Sequence, residues 1–174
     1  RVGGEVEESI LHGHVNKYHE GFLGHSYVCP WVNLGAITTT SDLKSDYSNV
    51  KVPLQGVPID SGHYKVGSFI GDHTKTAIDS MFNTGSSIGV MTLVLPGGRL
   101  LPRHIPSFCN VSFGELAIDW PLDQAIETAK IAMSRRDCKL TEAAERLFRK
   151  LHAMTEDERL AAVAMVTNRK LDRQ

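Results

Sequence analysis

The sequence predicts a mainly β protein, a parallel β-helix built from six-residue repeats and followed by an α-helical appendage. Two observations carry this reading. The first is a sixfold apolar period. The second is a change of composition: residues 1–109 hold 14 of the 15 glycines and 6 of the 7 prolines but only 17 of the 39 charged residues. Turn-rich β structure thus precedes surface-charged helix, and the chain is read as a β-helix domain over 1–109 and a helical extension over 110–174.

Stepping by six from Ile70 gives Ile70, Thr76, Phe82, Ile88, Val94 and Leu100, mostly apolar, with Thr74, Ser80, Ser86 and Thr92 four positions on. The same register upstream gives Phe22, Val28, Leu34 and Thr40, with Ser26, Val32 and Thr38 in the small slot. Each hexad makes one flat side and one corner of a triangular prism. The aliphatic residue points inward, and a small side chain fits beside it. Three hexads make a coil, so 18 residues advance the chain by about 4.8 Å. A β-sandwich could mimic this period, since six is a multiple of two, but two separated stretches obeying one small-residue rule favour the solenoid. Residues 41–69, with Lys44, Asp46, Pro53, Pro58 and Asp60, break the pattern and read as a protruding functional loop.

In the tail, Asp119 is expected to cap a helix through Leu122, Ile126, Ala129 and Met133, with Pro121 in its first turn. Thr141 starts a second, whose Ala144, Leu147, Phe148 and Leu151 form an apolar stripe. Thr155 and Glu158 read as a capping box for a third, carrying Leu160, Val163 and Ala164.

The 174 residues are 41% apolar, enough for a core, and the formal charge of −1 gives no bulk field to recruit nucleic acid or an anionic membrane. With no long apolar run and no signal-like N-terminus, a soluble cytoplasmic protein is expected. Cys29, Cys109 and Cys138 are odd in number and widely spaced, and read as reduced and structural. Arg1 stands where translation would place Met, so the sequence is expected to be a trimmed product or part of a longer chain.

Four of the eight histidines fall at His12, His14, His19 and His25. Three readings stand beside one another. His14 and His19 have a His-x4-His spacing open to zinc; a single imidazole could serve as a general base at neutral pH; or all four are solvated or hydrogen-bonded.

Residues 16–28, from Asn16-Lys17-Tyr18-His19-Glu20-Gly21-Phe22-Leu23-Gly24 onward, then Trp31-Val32-Asn33-Leu34-Gly35-Ala36 and residues 38–43, resemble the acetyltransferase half of bifunctional sugar-1-phosphate nucleotidyltransferase/N-acetyltransferases. Ile59-Asp60-Ser61-Gly62-His63 and Phe69-Ile70-Gly71-Asp72-His73 are most similar to the archaeal and Bacteroidetes-type branch. The resemblance covers about residues 1–108. It implies a left-handed helix, a homotrimer, and acetyl-CoA as co-substrate lying between neighbouring solenoids. The reaction it implies is acetyl transfer to an amino-sugar 1-phosphate, with no metal in this domain.

It further implies that His19, just before Phe22-Leu23-Gly24, is the base that takes a proton from the attacking amine. Phe22, Asp42 and Lys51 fall at substrate positions, with Lys51 near the sugar phosphate. Two residues depart from the family pattern: Asp42 stands where the family carries Asn, and Ile37 where it carries Gly. An ionised Asp only accepts hydrogen bonds, and facing the amine it would favour the non-nucleophilic ammonium. Two alternatives follow: a non-catalytic trimerisation or regulatory module of a nucleotidyltransferase, and a zinc site like that of γ-class carbonic anhydrases. A nucleotidyltransferase-type Gly-rich phosphate loop does not occur in the sequence, and Gly97-Gly98-Arg99 reads as a corner turn.

Overall fold

The computed structural model describes residues 1–171, with side chains described through residue 166. It is a parallel β-solenoid of the left-handed β-helix class with three C-terminal helices, the architecture read from the repeat and the resemblance. One face stacks Ile10–Leu11, Tyr27–Val28, Phe69–Ile70, Ser87–Ile88 and His104–Ile105 in parallel. A second stacks Lys75–Thr76, Leu93–Val94 and Asn110–Ser112, then turns back through Glu115–Ala117. On the third, Thr39–Thr40 pairs with Met81–Phe82.

Partner spacing gives the coil length directly. Ile10 to Tyr27 is 17 residues, Phe69 to Ser87 is 18, and Ser87 to His104 is 17. The uniform 18 of the sequence reading is therefore shortened at some corners. One slip falls after Val94: Leu100, expected inside, is 57% exposed, and Leu101 enters the core at 3%. The longer step from Tyr27 to Phe69, 42 residues, is one 18-residue coil plus an insertion of 24. That insertion leaves the solenoid after Asp42, closes where Leu43 pairs with Lys65, and carries an antiparallel hairpin, Lys51–Leu54 with Val57–Asp60. Gln55 and Gly56 both have positive φ, as the two-residue turn of a tight hairpin requires.

The small-residue slot has a chemical reason beyond size. Thr74, Ser80 and Ser86 are fully buried, and their hydroxyls donate to the Gly89, Ala77 and Asn83 carbonyls at 2.8, 2.8 and 2.7 Å. A corner carbonyl that the sheet leaves unpaired is thereby satisfied, which an alanine would not do. Corners also place non-glycine residues in the left-handed region. One column runs His14, Trp31, His73, Met91 and Phe108, with φ between 50° and 63°. This conformation costs about 1–2 kcal/mol per residue, and burial of Met91 and Phe108 against the helices offsets it.

Helices α1 (Leu122–Ser134) and α2 (Glu142–Met154) cover that column, packing Ala125, Ile126, Ala129 and Phe148 on Met91 and Phe108. Helix α3 (Glu156–Leu171) lies over the end of the prism, with Ala162, Val163 and Val166 against its core. Several details differ from the sequence reading. Pro121, not Asp119, is the N-cap of α1, because a proline holds φ near −60° and biases the residue before it away from helix. Thr141 caps α2 by accepting from the Ala144 N–H at 3.2 Å. Leu147 leaves the apolar stripe and is 54% exposed. The Thr155 capping box does not form: only Thr155 separates α2 from α3, so its hydroxyl bonds back to the Leu151 carbonyl at 2.8 Å, and Glu158 reaches His104 at 2.9 Å. Leu160 and Ala164 face outward.

Candidate functional site

At the corner that carries His25, an imidazole, a carboxylate and the return of the insertion meet. His25 sits at φ 47° in a left-handed corner. One coil on, 17 residues later, Asp42 lies over it, and His25 Nδ1 is 2.7 Å from Asp42 Oδ2. The imidazole is 22% and the carboxylate 11% exposed, so the pair is sheltered but open on one side. The chain then leaves for the insertion and returns to the same place. The Val66 N–H donates to the Asp42 carbonyl at 2.8 Å and the Gly67 N–H to the His25 carbonyl at 2.9 Å. The insertion is thus strapped across the pair at both of its ends.

Two glycines make this packing possible by lacking Cβ. A Cβ on Gly24 would stand 2.3 Å from Phe22 Cζ and 2.7 Å from Asp42 Oδ2, so the bare glycine lets the Phe22 ring lie over it beside the carboxylate. A Cβ on Gly67 would stand 1.8 Å from the Gly24 carbonyl oxygen. Lys65, returning with the strap, pairs with Glu7 at 3.2 Å. Its hydrogen bond to Glu7 holds the ammonium pKa above the ordinary lysine value, with Asp42 adding a smaller attraction.

Of the residues singled out from sequence, Phe22 and Asp42 come together here. His19 lies on the preceding corner, exposed, its ring edge-on to Tyr18 at 5.5 Å. Among the described residues no hydrogen bond engages that ring. Buried Lys17 pins the corner through the His19 and Gly3 carbonyls, and burial lowers its pKa. Lys51 opens the hairpin, exposed, in register with Asp60. No hydrogen bond, ion pair or ring contact joins His19 or Lys51 to the His25 corner among the described residues. Ile37 takes the left-handed corner above Glu20 at φ 62° and is 52% exposed.

Sequence reasoning missed His25, Lys65 and Glu7 as members of this site. The His25–Asp42 spacing equals one 17-residue coil and is the signal that could have found His25; no spacing in the sequence points to Lys65 and Glu7. The remaining clustered histidines have neighbours of their own: His12 bonds the Tyr27 hydroxyl at 2.7 Å, and His14 stacks on Trp31 at 4.0 Å. Among the described residues no three His, Cys, Asp or Glu side chains converge as a metal ion would need, and no helix is long and apolar enough to cross a membrane.

The chain is similar to a bifunctional sugar-1-phosphate nucleotidylyltransferase/acetyltransferase of Sulfurisphaera tokodaii, 37% identical over 93 residues that span 53% of this chain and 23% of that protein. It is 33% identical over 90 residues to the bifunctional protein GlmU of Methanococcus maripaludis, 52% of this chain and 22% of the relative. To GlmU of Methanocaldococcus jannaschii it is 32% identical over 85 residues, 49% and 21%. The resemblance read from the sequence thus stands: the solenoid is related to proteins of this bifunctional type. The chain spans less than a quarter of the length of these relatives, and no family model matches it.

Proposed function

We propose that this chain is an acetyltransferase module that moves an acetyl group from acetyl-CoA to the amino group of an amino-sugar 1-phosphate. The observation that carries the reading is the His25–Asp42 pair beside Phe22. Asp42 was the feature that set the sequence against catalysis, because a bare carboxylate would hold the substrate nitrogen as ammonium. With His25 Nδ1 donating to Oδ2, the carboxylate is engaged by a charge-assisted hydrogen bond. The remaining carboxylate oxygen then accepts from the substrate, its pull on an ammonium reduced by that bond.

His19 supplies the base. Its exposed ring, which has no hydrogen bond among the described residues, has a nitrogen available to take the proton that the amine loses as its lone pair forms the C–N bond at the thioester carbonyl. Collapse of the tetrahedral intermediate breaks the C–S bond and releases CoA, leaving the N-acetylated sugar phosphate. Phe22 gives the sugar an apolar wall, and Lys51, carried on the hairpin, serves the phosphate. A homotrimer would set a neighbouring solenoid against the His19 corner and close the groove for acetyl-CoA. Exposed Ile37, Ile78 and Leu95 give such a contact apolar area.

A second reading is favoured by the same pair: His25 is itself the base and Asp42 its orienting carboxylate. Thiol release from acetyl-CoA with a panel of hexosamine phosphates tests the activity. Turnover with a hexosamine 1-phosphate supports the proposal; none with any member would leave the non-catalytic trimerisation module as the reading.

A further inference from the structure

A cleft lies at the corner covered by the helices, away from the His25 corner. It encloses about 340 Å³ between the solenoid and the C-terminal end of α1, at the small end of the roughly 300–1,000 Å³ typical of small-molecule sites. Its floor is a row in register: Asn16 pairs with Asn33, and Asn33 with Lys75. The Asn16 amide donates to Asn33 Oδ1 at 2.8 Å, which leaves Asn16 Oδ1 and both N–H groups of the Asn33 amide without a hydrogen-bond partner among the described residues. One wall is the stack in which Trp31 lies between His14, at 4.0 Å, and His73, at 6.0 Å. The opposite wall is the α1 terminus, with Arg135 and Arg136.

The charge in this cleft is uncompensated. Among the described residues neither Arg135 nor Arg136 has an acidic partner, and Lys75 Nζ donates only to the His73 carbonyl at 3.2 Å. Burial lowers the Lys75 pKa, the sign of an ammonium held away from water without a counter-ion. An anion in the cleft would supply the missing charge, and the amides beside it suit the hydroxyl groups of a sugar.

We propose that the cleft between Trp31, Asn33, Lys75 and the Arg135–Arg136 turn binds a sugar phosphate, with the phosphate on the two arginines and the sugar hydroxyls on the Asn16 and Asn33 amides. The cleft is lined by none of His19, Phe22, His25, Asp42 and Lys51, the residues of the proposed acetyl-transfer site. It also gives α1 a task beyond covering the corner.

Calorimetric titration of the full chain with glucose 1-phosphate, which has no amine to acetylate, tests it. Saturable binding is expected, weakened at least tenfold in R135A/R136A, whose side chains are exposed, and unchanged in H25A. Glucose should not bind, and inorganic phosphate should bind at least tenfold more weakly than the sugar phosphate. No saturable binding, equal affinity in R135A/R136A, or loss of binding in H25A would overturn the proposal. Phosphate binding as tightly as the sugar ester, or ADP binding more tightly than either, would overturn the sugar assignment.

Discussion

His25 Nδ1 and Asp42 Oδ2 lie 2.7 Å apart on successive coils, at the one corner where the chain departs from the solenoid and returns to it. The pair therefore joins two layers of the prism and the strap between them. Because an Asn carbonyl can accept the same bond, Asp42→Asn is expected to keep turnover within about tenfold. Asp42→Leu leaves His25 Nδ1 without an acceptor, which costs about 1–3 kcal/mol for a buried donor and less at this partial exposure. Turnover and denaturant midpoints of the two variants check this.

Widening the small slot should damage the fold, not the chemistry. Ser86→Val forces extra volume into a fully buried position and removes the donor to the Asn83 carbonyl. A loss of about 1–3 kcal/mol is expected from overpacking, read as a lower denaturant midpoint at unchanged slope. An unchanged midpoint would mean the slot is not the constraint described.

Much of this was legible because solenoid rules are local. Ile70, Phe82, Ile88 and Val94 are inside because a six-residue side puts each sixth residue inside, and no distant pairing has to be known. The register slip at Leu100 and the loss of the Thr155 cap were not legible, since both depend on how a corner or an inter-helix turn closes in space. Phe22 and Asp42 were found through resemblance, whereas His25 needed the coil length: only a 17-residue coil sets it under Asp42. Lys65 and Glu7 meet across 58 residues through the returning strap, which no sequence period encodes.

His73 should make the helical corner acid-sensitive. Burial, with a smaller repulsion from Lys75, lowers its pKa to about 4, and its ring touches Phe148 of α2 edge-on at 5.5 Å. In the unfolded chain the group titrates near ~6.5, so as pH falls from there the unfolded state takes up the proton first. Stability from this group is complete above ~6.5, is lost as pH falls towards 4, and changes no further below. The total is on the order of 3 kcal/mol. Thermal unfolding between pH 7 and 4 should show this slope, and His73→Asn, whose residue tolerates the left-handed corner, should flatten it.

The cysteines should differ in reactivity. Cys109 is fully buried and burial pushes its thiol up to about 12, whereas Cys138 is partly exposed after α1. Since the thiolate is the nucleophile, a thiol reagent at neutral pH should label Cys138 in the native protein and reach Cys109 only on unfolding. Native labelling of Cys109 would contradict the packing of α3 over the prism end.

The central claim is that His25 engages Asp42 so that His19 can deprotonate the amine, and the pH profile of kcat/KM for H25A and for H25A/D42N tests it most directly. Removing His25 frees the carboxylate to hold the substrate as ammonium, so H25A should lose about 10- to 100-fold at neutral pH, one to two pKa units of ammonium stabilisation, and recover at higher pH. Adding Asp42→Asn should restore neutral activity to within a few-fold, while His19→Asn should cost about 10²–10⁴-fold at every pH. If H25A/D42N is as inactive as H25A and His19→Asn is near normal, His25 is the base and the account given for the pair is wrong.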